Sequence, residues 1–127
     1  MNSILNAWIP KNSEVLDLGC GDGSLLASLK NKLNVSGYGV DISEKKIQLS
    51  LSKGLNVIEQ DIDEGLDNFK DASFDIVIMS QSIQALKKPE NALKEIVRIG
   101  KECIVSIPNF ANLKCRAQLA LLSLIHI

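Results

Sequence analysis

Three alternate glycines at the end of an apolar run are the residues best placed to do chemistry in this chain: Val15-Leu16-Asp17-Leu18-Gly19-Cys20-Gly21-Asp22-Gly23-Ser24. Glycine lets a backbone turn sharply and approach a ligand with no Cβ in the way, and a helix that follows points N–H groups at an anionic group. A strand, this loop and a helix in that order predict a nucleotide-cofactor site in which the ligand lies against backbone. The spacing is G-x-G-x-G, with Ser24 where the dinucleotide fingerprint G-x-G-x-x-G has its last glycine, and the acidic Asp17 precedes the loop.

Two further acids fit a nucleoside. Asp41 stands eighteen residues beyond Gly23, close to the spacing at which an acid ending a second strand accepts both ribose hydroxyls, with Ile42 beside it. The plainer reading of Asp41 is a helix-start acid that complements the dipole. Asp61 is placed to accept an adenine amino group while the backbone of Ile62 reads the ring edge; the alternative is that Asp61, Asp63 and Glu64 form only a solvated acidic turn. Ser80 and Gln81 follow a fourth apolar run and Asn109 a fifth, where an acceptor would be oriented. None of these is basic enough to take a proton unaided. The single histidine, His126, is almost at the C-terminus, and no G-x-S-x-G elbow occurs. A triad-based hydrolase or acyltransferase within this chain is therefore excluded.

Composition narrows the class. The 127 residues make one domain, small for a complete doubly wound enzyme. A formal net charge of −1, with Lys45-Lys46 and Lys87-Lys88 as the only adjacent basic pairs, leaves no electrostatic footprint for nucleic acid. Cys20, Cys103 and Cys115 are widely spaced, with no C-x-x-C pair, which argues against a disulfide framework and a metal site. They read as reduced thiols, Cys20 as a small buried side chain inside the loop. No signal peptide or long apolar span is present, so the expectation is a cytoplasmic protein with no membrane contact, and the sequon Asn34-Val35-Ser36 is read as the start of a strand.

To bring the candidate residues together the chain must alternate strands with amphipathic helices, which predicts an α/β fold: a doubly wound, Rossmann-like parallel sheet. A short helix carrying Ile4, Leu5 and Trp8 stops before Pro10, and strand one runs from about Glu14 to Leu18. Leu25, Leu26, Leu29 and Leu33 form the buried stripe of the first crossover helix. Strand two, Val35 to Val40, ends at Asp41, and Ser43 caps a helix that Gly54 closes. Strand three is Leu55 to Glu59; strand four, Phe74 to Met79, is apolar enough to be buried on both faces. Pro89 suits the first turn of a helix whose Leu93, Ile96 and Val97 face the core. Strand five, Cys103 to Ile107, ends at Pro108-Asn109-Phe110, and a final helix is expected from about Ala111. Ligands bind such sheets at the carboxyl ends of the strands, near the switch between strands one and four.

The glycine loop resembles motif I of class I S-adenosylmethionine (SAM) methyltransferases more than a nicotinamide or flavin site; a strand–turn–helix that binds nothing is the third reading. Other stretches resemble one subgroup, the methionine-biosynthesis protein W (MetW) family: Trp8-Ile9-Pro10, Gly37-Tyr38-Gly39-Val40, Asn56 through Asp61, Ser80-Gln81-Ser82-Ile83-Gln84-Ala85 and Ile104 through Phe110. The resemblance runs from about Trp8 to Leu122. It implies a class I SAM-methyltransferase-like sheet of strand order 3-2-1-4-5, with Asp17, Gly19, Cys20, Gly21, Gly23, Asp41, Ile42, Asp61, Ile62 and Ser80 on SAM. It also implies a role beside a separate homoserine O-acyltransferase, which carries the serine nucleophile. The other function open to such a chain is a SAM-dependent methyltransferase of a small molecule, with Gln81 and Asn109 lining the acceptor site. Methyl transfer can proceed by in-line alignment without a base.

The chain is shorter than that family's pattern. Residues 1–121 are expected to form a partial domain with the C-terminal strands missing, leaving strand five as an unpaired edge prone to self-association. Leu122-Ser123-Leu124-Ile125-His126-Ile127 is what one frame of a common sequencing-library transposon end would encode, so 122–127 are expected to be a non-native scar, the alternative being the apolar end of the last helix.

Overall fold

The computed structural model describes residues 7–82, 86–107 and 110–116, with side chains at 7–79 and 86–105. Five parallel strands and one antiparallel strand form a single sheet in the order β3-β2-β1-β4-β5-β6. They are β1 (Glu14–Leu18), β2 (Ser36–Asp41), β3 (Asn56–Glu59), β4 (Phe74–Ser82), β5 (Gly100–Ile107) and β6 (Phe110–Arg116). The helices are α1 (Ser24–Leu33), α2 (Glu44–Ser52) and α3 (Pro89–Ile99), with a 3-10 turn at Ile62–Glu64. The parallel part has the expected order 3-2-1-4-5. Of the predicted N-terminal helix only residues 7–8 are described, as helix; Ile4 and Leu5 lie outside the described residues.

Side chains on successive strand positions go to opposite faces, which splits the core in two. Leu16, Leu18, Val77, Met79, Cys103 and Val105 pack with Leu93, Ile96 and Ile99 of α3 and with Leu66 and Phe69. Val15, Ile76, Ile78 and Ile104 pack on the other face with Leu26 and Leu29 of α1. Burial on both faces is why β4 is so nearly continuous in apolar residues. Arg98 of α3 staples the loop after the 3-10 turn: its guanidinium donates to the carbonyls of Leu66 (2.9 Å) and Phe69 (2.8 Å) while pairing with Glu95 and Asp71. No helix among the described residues is long and apolar enough to cross a membrane.

Three expectations are corrected. Residues 110–116 form a strand, not a helix, and it runs antiparallel to β5 with Val105 opposite Leu113 and Glu102 opposite Arg116. The reason is legible afterwards: Ala111, Leu113 and Cys115 alternate with Asn112, Lys114 and Arg116, a period of two. Strand five is consequently paired on both sides and is not an edge. Finally, Ser80 and Gln81 do not follow β4 but lie in it, because β5 extends alongside and pairs as far as Ser82 with Ser106, after a register shift beyond Met79.

The tightest backbone approach is at Gly37, paired with Val15 at φ +145°, where a Cβ would sit 1.7 Å from the Val15 carbonyl oxygen. No side-chain rearrangement relieves a clash with backbone. Gly37→Ala is expected to destabilise the chain by about 3 kcal/mol or more, or to prevent folding; a thermal melt within a degree of the parent's would show that β1 and β2 separate easily.

Candidate functional site

The carboxyl ends of β1, β2 and β3 lie side by side, and they bring together the glycine loop, Asp41, Ile42, Asp61 and Ile62. The loop after β1 turns on Gly19, Gly21 and Gly23, all at positive φ (+76°, +58° and +82°). At Gly23 the space is also closed: a Cβ would meet Leu55 Cδ1 at 2.6 Å and Ser50 Oγ at 2.8 Å.

The loop's own donors are turned inward. The N–H groups of Gly19 and Cys20 donate to the Val40 carbonyl (2.7 and 2.9 Å), that of Gly23 to the Cys20 carbonyl (3.0 Å) and that of Ser24 to Asp22 Oδ1 (3.0 Å). The N–H of Gly21 donates to Asp41 Oδ2 at 2.8 Å. Five donors that a phosphate cradle would need are spent within the protein.

Asp41 is 5% exposed, and its other oxygen accepts the Ser43 N–H at 2.9 Å. Its carboxylate therefore fastens the glycine loop to the start of α2, and keeps lone pairs for further donors. Ile42, beside it, is 65% exposed, an apolar surface at the mouth of the site.

Asp17 is fully buried, and neither carboxylate oxygen has a hydrogen-bond partner among the described residues. Burial, followed by the charge of Asp41, pushes its pKa up from 3.8 to about 7. The Cys20 thiol is pushed up to about 11 by burial and then by the charges of Asp17 and Asp41, so it is not a reactive thiolate at neutral pH.

Asp61 caps the 3-10 turn, its Oδ1 accepting the Asp63 N–H at 2.9 Å, so the turn-forming reading and the adenine reading meet in one residue with one oxygen already engaged. Ile62, half-buried, follows it. Asp63 accepts the N–H groups of Lys87 (3.1 Å) and Lys88 (3.0 Å), bonds that hold its carboxyl below the usual range and tie the turn to the approach to α3. The side chains of Ser80 and Gln81, and all of Asn109, lie outside the described residues.

Two residues that the sequence reading missed support the loop from α2. Ser50, fully buried, donates to the Gly21 carbonyl at 3.0 Å. Lys53 donates to the Asp22 carbonyl at 2.7 Å and to Ser24 Oγ at 3.4 Å, with the Asp22 carboxylate 3.7 Å away. The available signal was a serine three residues after Ile47, on the buried stripe of the helix. A cavity of about 390 Å³ lined by Asn12, Lys30, Asn34 and Asn56 opens at the opposite, amino end of the strands, away from these acids. Among the described residues no group of acids, histidines and cysteines is arranged to hold a metal ion.

The sequence matches the family described as methionine biosynthesis protein MetW over residues 2–124. The bifunctional methionine biosynthesis protein MetXA/MetW of Rhodopirellula baltica is 36% identical over 116 residues, which are 85% of this chain and 19% of that protein. The SAM-dependent methyltransferase from Thermotoga maritima has a similar structure (TM-score 0.69, 29% identity, 82% of this chain and 48% of that one). Phosphoethanolamine N-methyltransferase 2 of Haemonchus contortus, solved with SAM, shares the fold (TM-score 0.73, 21% identity, 83% of this chain and 27% of that one). The chain thus spans about a fifth of its curated relative and about half or less of these structural neighbours. The glycine loop, the three strand-end acids and the match over nearly the whole length place the chain in one family: it belongs to the methionine biosynthesis protein MetW family.

Proposed function

We propose that this chain binds SAM at the carboxyl ends of β1–β3 and serves methionine biosynthesis as a SAM-responsive subunit beside a homoserine O-acyltransferase. The observation that carries the SAM reading is Asp17, a fully buried carboxyl with no hydrogen-bond partner among the described residues. A buried carboxylate is costly unless a cation meets it, and SAM carries both an ammonium and a sulfonium. The spent N–H groups of the loop support the same choice, since a pyrophosphate would find few donors and two carboxylates. In the strand register Asp17 stands opposite Gly39, two residues short of Asp41, and Asp61 comes two residues after Glu59, the partner of Asp41, so the three acids form a diagonal row across the ends of β1, β2 and β3. That row suits adenine, ribose and amino acid in this order.

In this reading Asp41 takes the ribose diol while remaining held by Gly21 and Ser43, Ile42 lies against the base, and Asp17 receives the ammonium. Bound SAM supplies a methyl group already activated on sulfur. The absence of a triad among the sequence's residues leaves acylation to the partner, a division supported by the relative that joins MetXA and MetW in one protein. SAM is made from methionine, so a SAM site on this subunit would let the pathway sense its own output.

Calorimetric titration is expected to give saturable SAM binding to the parent chain, weakened at least about tenfold in Asp41→Ala; a parent chain that folds but takes up no SAM would overturn the proposal. The acyltransferase rate of the assembled pair is expected to change with SAM concentration. A flat rate, together with S-adenosylhomocysteine formed from a pool of small metabolites, would instead make the chain a methyltransferase.

Asp17 gives the pH dependence. The folded carboxyl keeps its proton to about pH 7, whereas an unfolded one loses it near 3.8. The folded chain therefore binds the extra proton between those values, and stability falls as pH rises through that window, by an amount on the order of 4 kcal/mol. Asp17→Asn is expected to melt above the parent at pH 8 and to flatten this slope. SAM affinity of the parent should rise between pH 6 and pH 8 as the carboxylate ionises, and the variant should lose both the affinity and its pH dependence. Equal SAM affinity in parent and variant at pH 8 would remove Asp17 from the site.

A further inference from the structure

Helix α2 touches both halves of the candidate site. It starts at Ser43, whose N–H is held by Asp41, and its carboxyl end lies on the glycine loop. There the fully buried Ser50 fixes the Gly21 carbonyl and Lys53 fixes the next carbonyl, that of Asp22, together with the Asp22 side chain. Gly23 is packed so closely against Ser50 and Leu55 that the loop has no room to retreat on that side.

We propose that Lys53, with Ser50 one turn before it, is a positioning residue of the cofactor site: from the end of α2 it holds the Gly21–Asp22 peptides in place and so sets the affinity for the amino-acid end of SAM. This rests on the SAM reading above. The chemistry of the contact is specific. The N–H groups of Gly19, Cys20 and Gly21 are anchored to Val40 and Asp41, which fixes the peptides up to Cys20–Gly21; the next two, Gly21–Asp22 and Asp22–Gly23, turn their carbonyls to α2. A buried hydroxyl and an ammonium supply the donors there. Charge-assisted bonds of the kind Lys53 makes are roughly twice as strong as neutral ones. The Lys53 ammonium also offsets the charge of the half-exposed Asp22, 3.7 Å away.

A merely structural role and a positioning role differ in which ligand notices. The base and ribose are read by Ile42, Asp41 and Asp61, whereas the amino-acid end meets Asp17 and the loop. The test titrates SAM, and 5′-methylthioadenosine, which lacks the amino-acid end, into the parent chain, Lys53→Met and Lys53→Arg, with a thermal melt of each. Lys53→Met is expected to lose about tenfold in SAM affinity, to change by less than about twofold on methylthioadenosine, and to show faster amide exchange across Cys20–Ser24 without ligand. Lys53→Arg should restore SAM affinity. Equal losses on both ligands, or none on SAM, would overturn the positioning role while leaving the SAM reading intact. A folded parent that binds neither ligand would overturn both.

Discussion

The carboxylate of Asp41 is the joint on which the rest of the site turns. One oxygen holds the Gly21 N–H and the other the Ser43 N–H, so a single buried charge connects the loop after β1, the end of β2 and the first turn of α2. Hydrogen bonds to an ionised acceptor are the stronger kind, and this one is shielded from water. Remove it and two N–H groups lose their acceptor at once, while the loop keeps its attachments to Val40 and to Ser50 and Lys53 at the end of α2. The same charge raises the cost of ionising Asp17, so the feature that orders the site also makes it electrostatically unfinished.

That incompleteness separates the site from the core around it. On the α3 face Leu16, Leu18, Ile96 and Ile99 are buried without polar atoms to satisfy, and Arg98 meets the carbonyls and carboxylates near it. Asp17 sits between Leu16 and Leu18 in the central part of the sheet, where a leucine would pack and an acid does not. A fold selected for stability alone would not keep there a carboxyl with no partner among the described residues. The misfit is local, and it coincides with the ends of the strands, where sheets of this kind bind ligands.

Much of this was legible in the sequence because it depends on short-range rules. Alternation and helical spacing of apolar residues located β1 to β5 and the three helices, and Pro89 marked the start of α3 as expected. The glycines announced a loop that only positive φ allows. What escaped were pairings between distant segments. Whether β4 stops at Met79 or runs to Ser82 depends on what β5 offers beside it, and whether 110–116 is helix or strand depends on the open side of β5. The direction of the loop's N–H groups escaped for the same reason: Val40 and Asp41, about twenty residues away, decide it. Ser50 and Lys53 are a serine and a lysine on a polar helix until the loop is laid across them.

The direction of those N–H groups has a wider consequence for motifs of this kind. A strand, a glycine-rich turn and a helix are common to sites for anionic and cationic cofactors, so the glycines by themselves specify close approach of backbone and not the sign of the ligand's charge. The sign is set by which groups remain unsatisfied after the loop has folded. Where N–H groups are left over, the loop receives phosphate. Here the donors at Gly19, Cys20, Gly21, Gly23 and Ser24 are consumed, and the buried Asp17 carboxyl has no hydrogen-bond partner among the described residues. Asp41 accomplishes both halves of that choice, by capping a donor of the loop and by contributing a second negative charge beside Asp17. On the SAM reading proposed above, the acid at the end of β2 does more than meet a ribose: it takes up the Gly21 N–H and sets a negative charge beside Asp17.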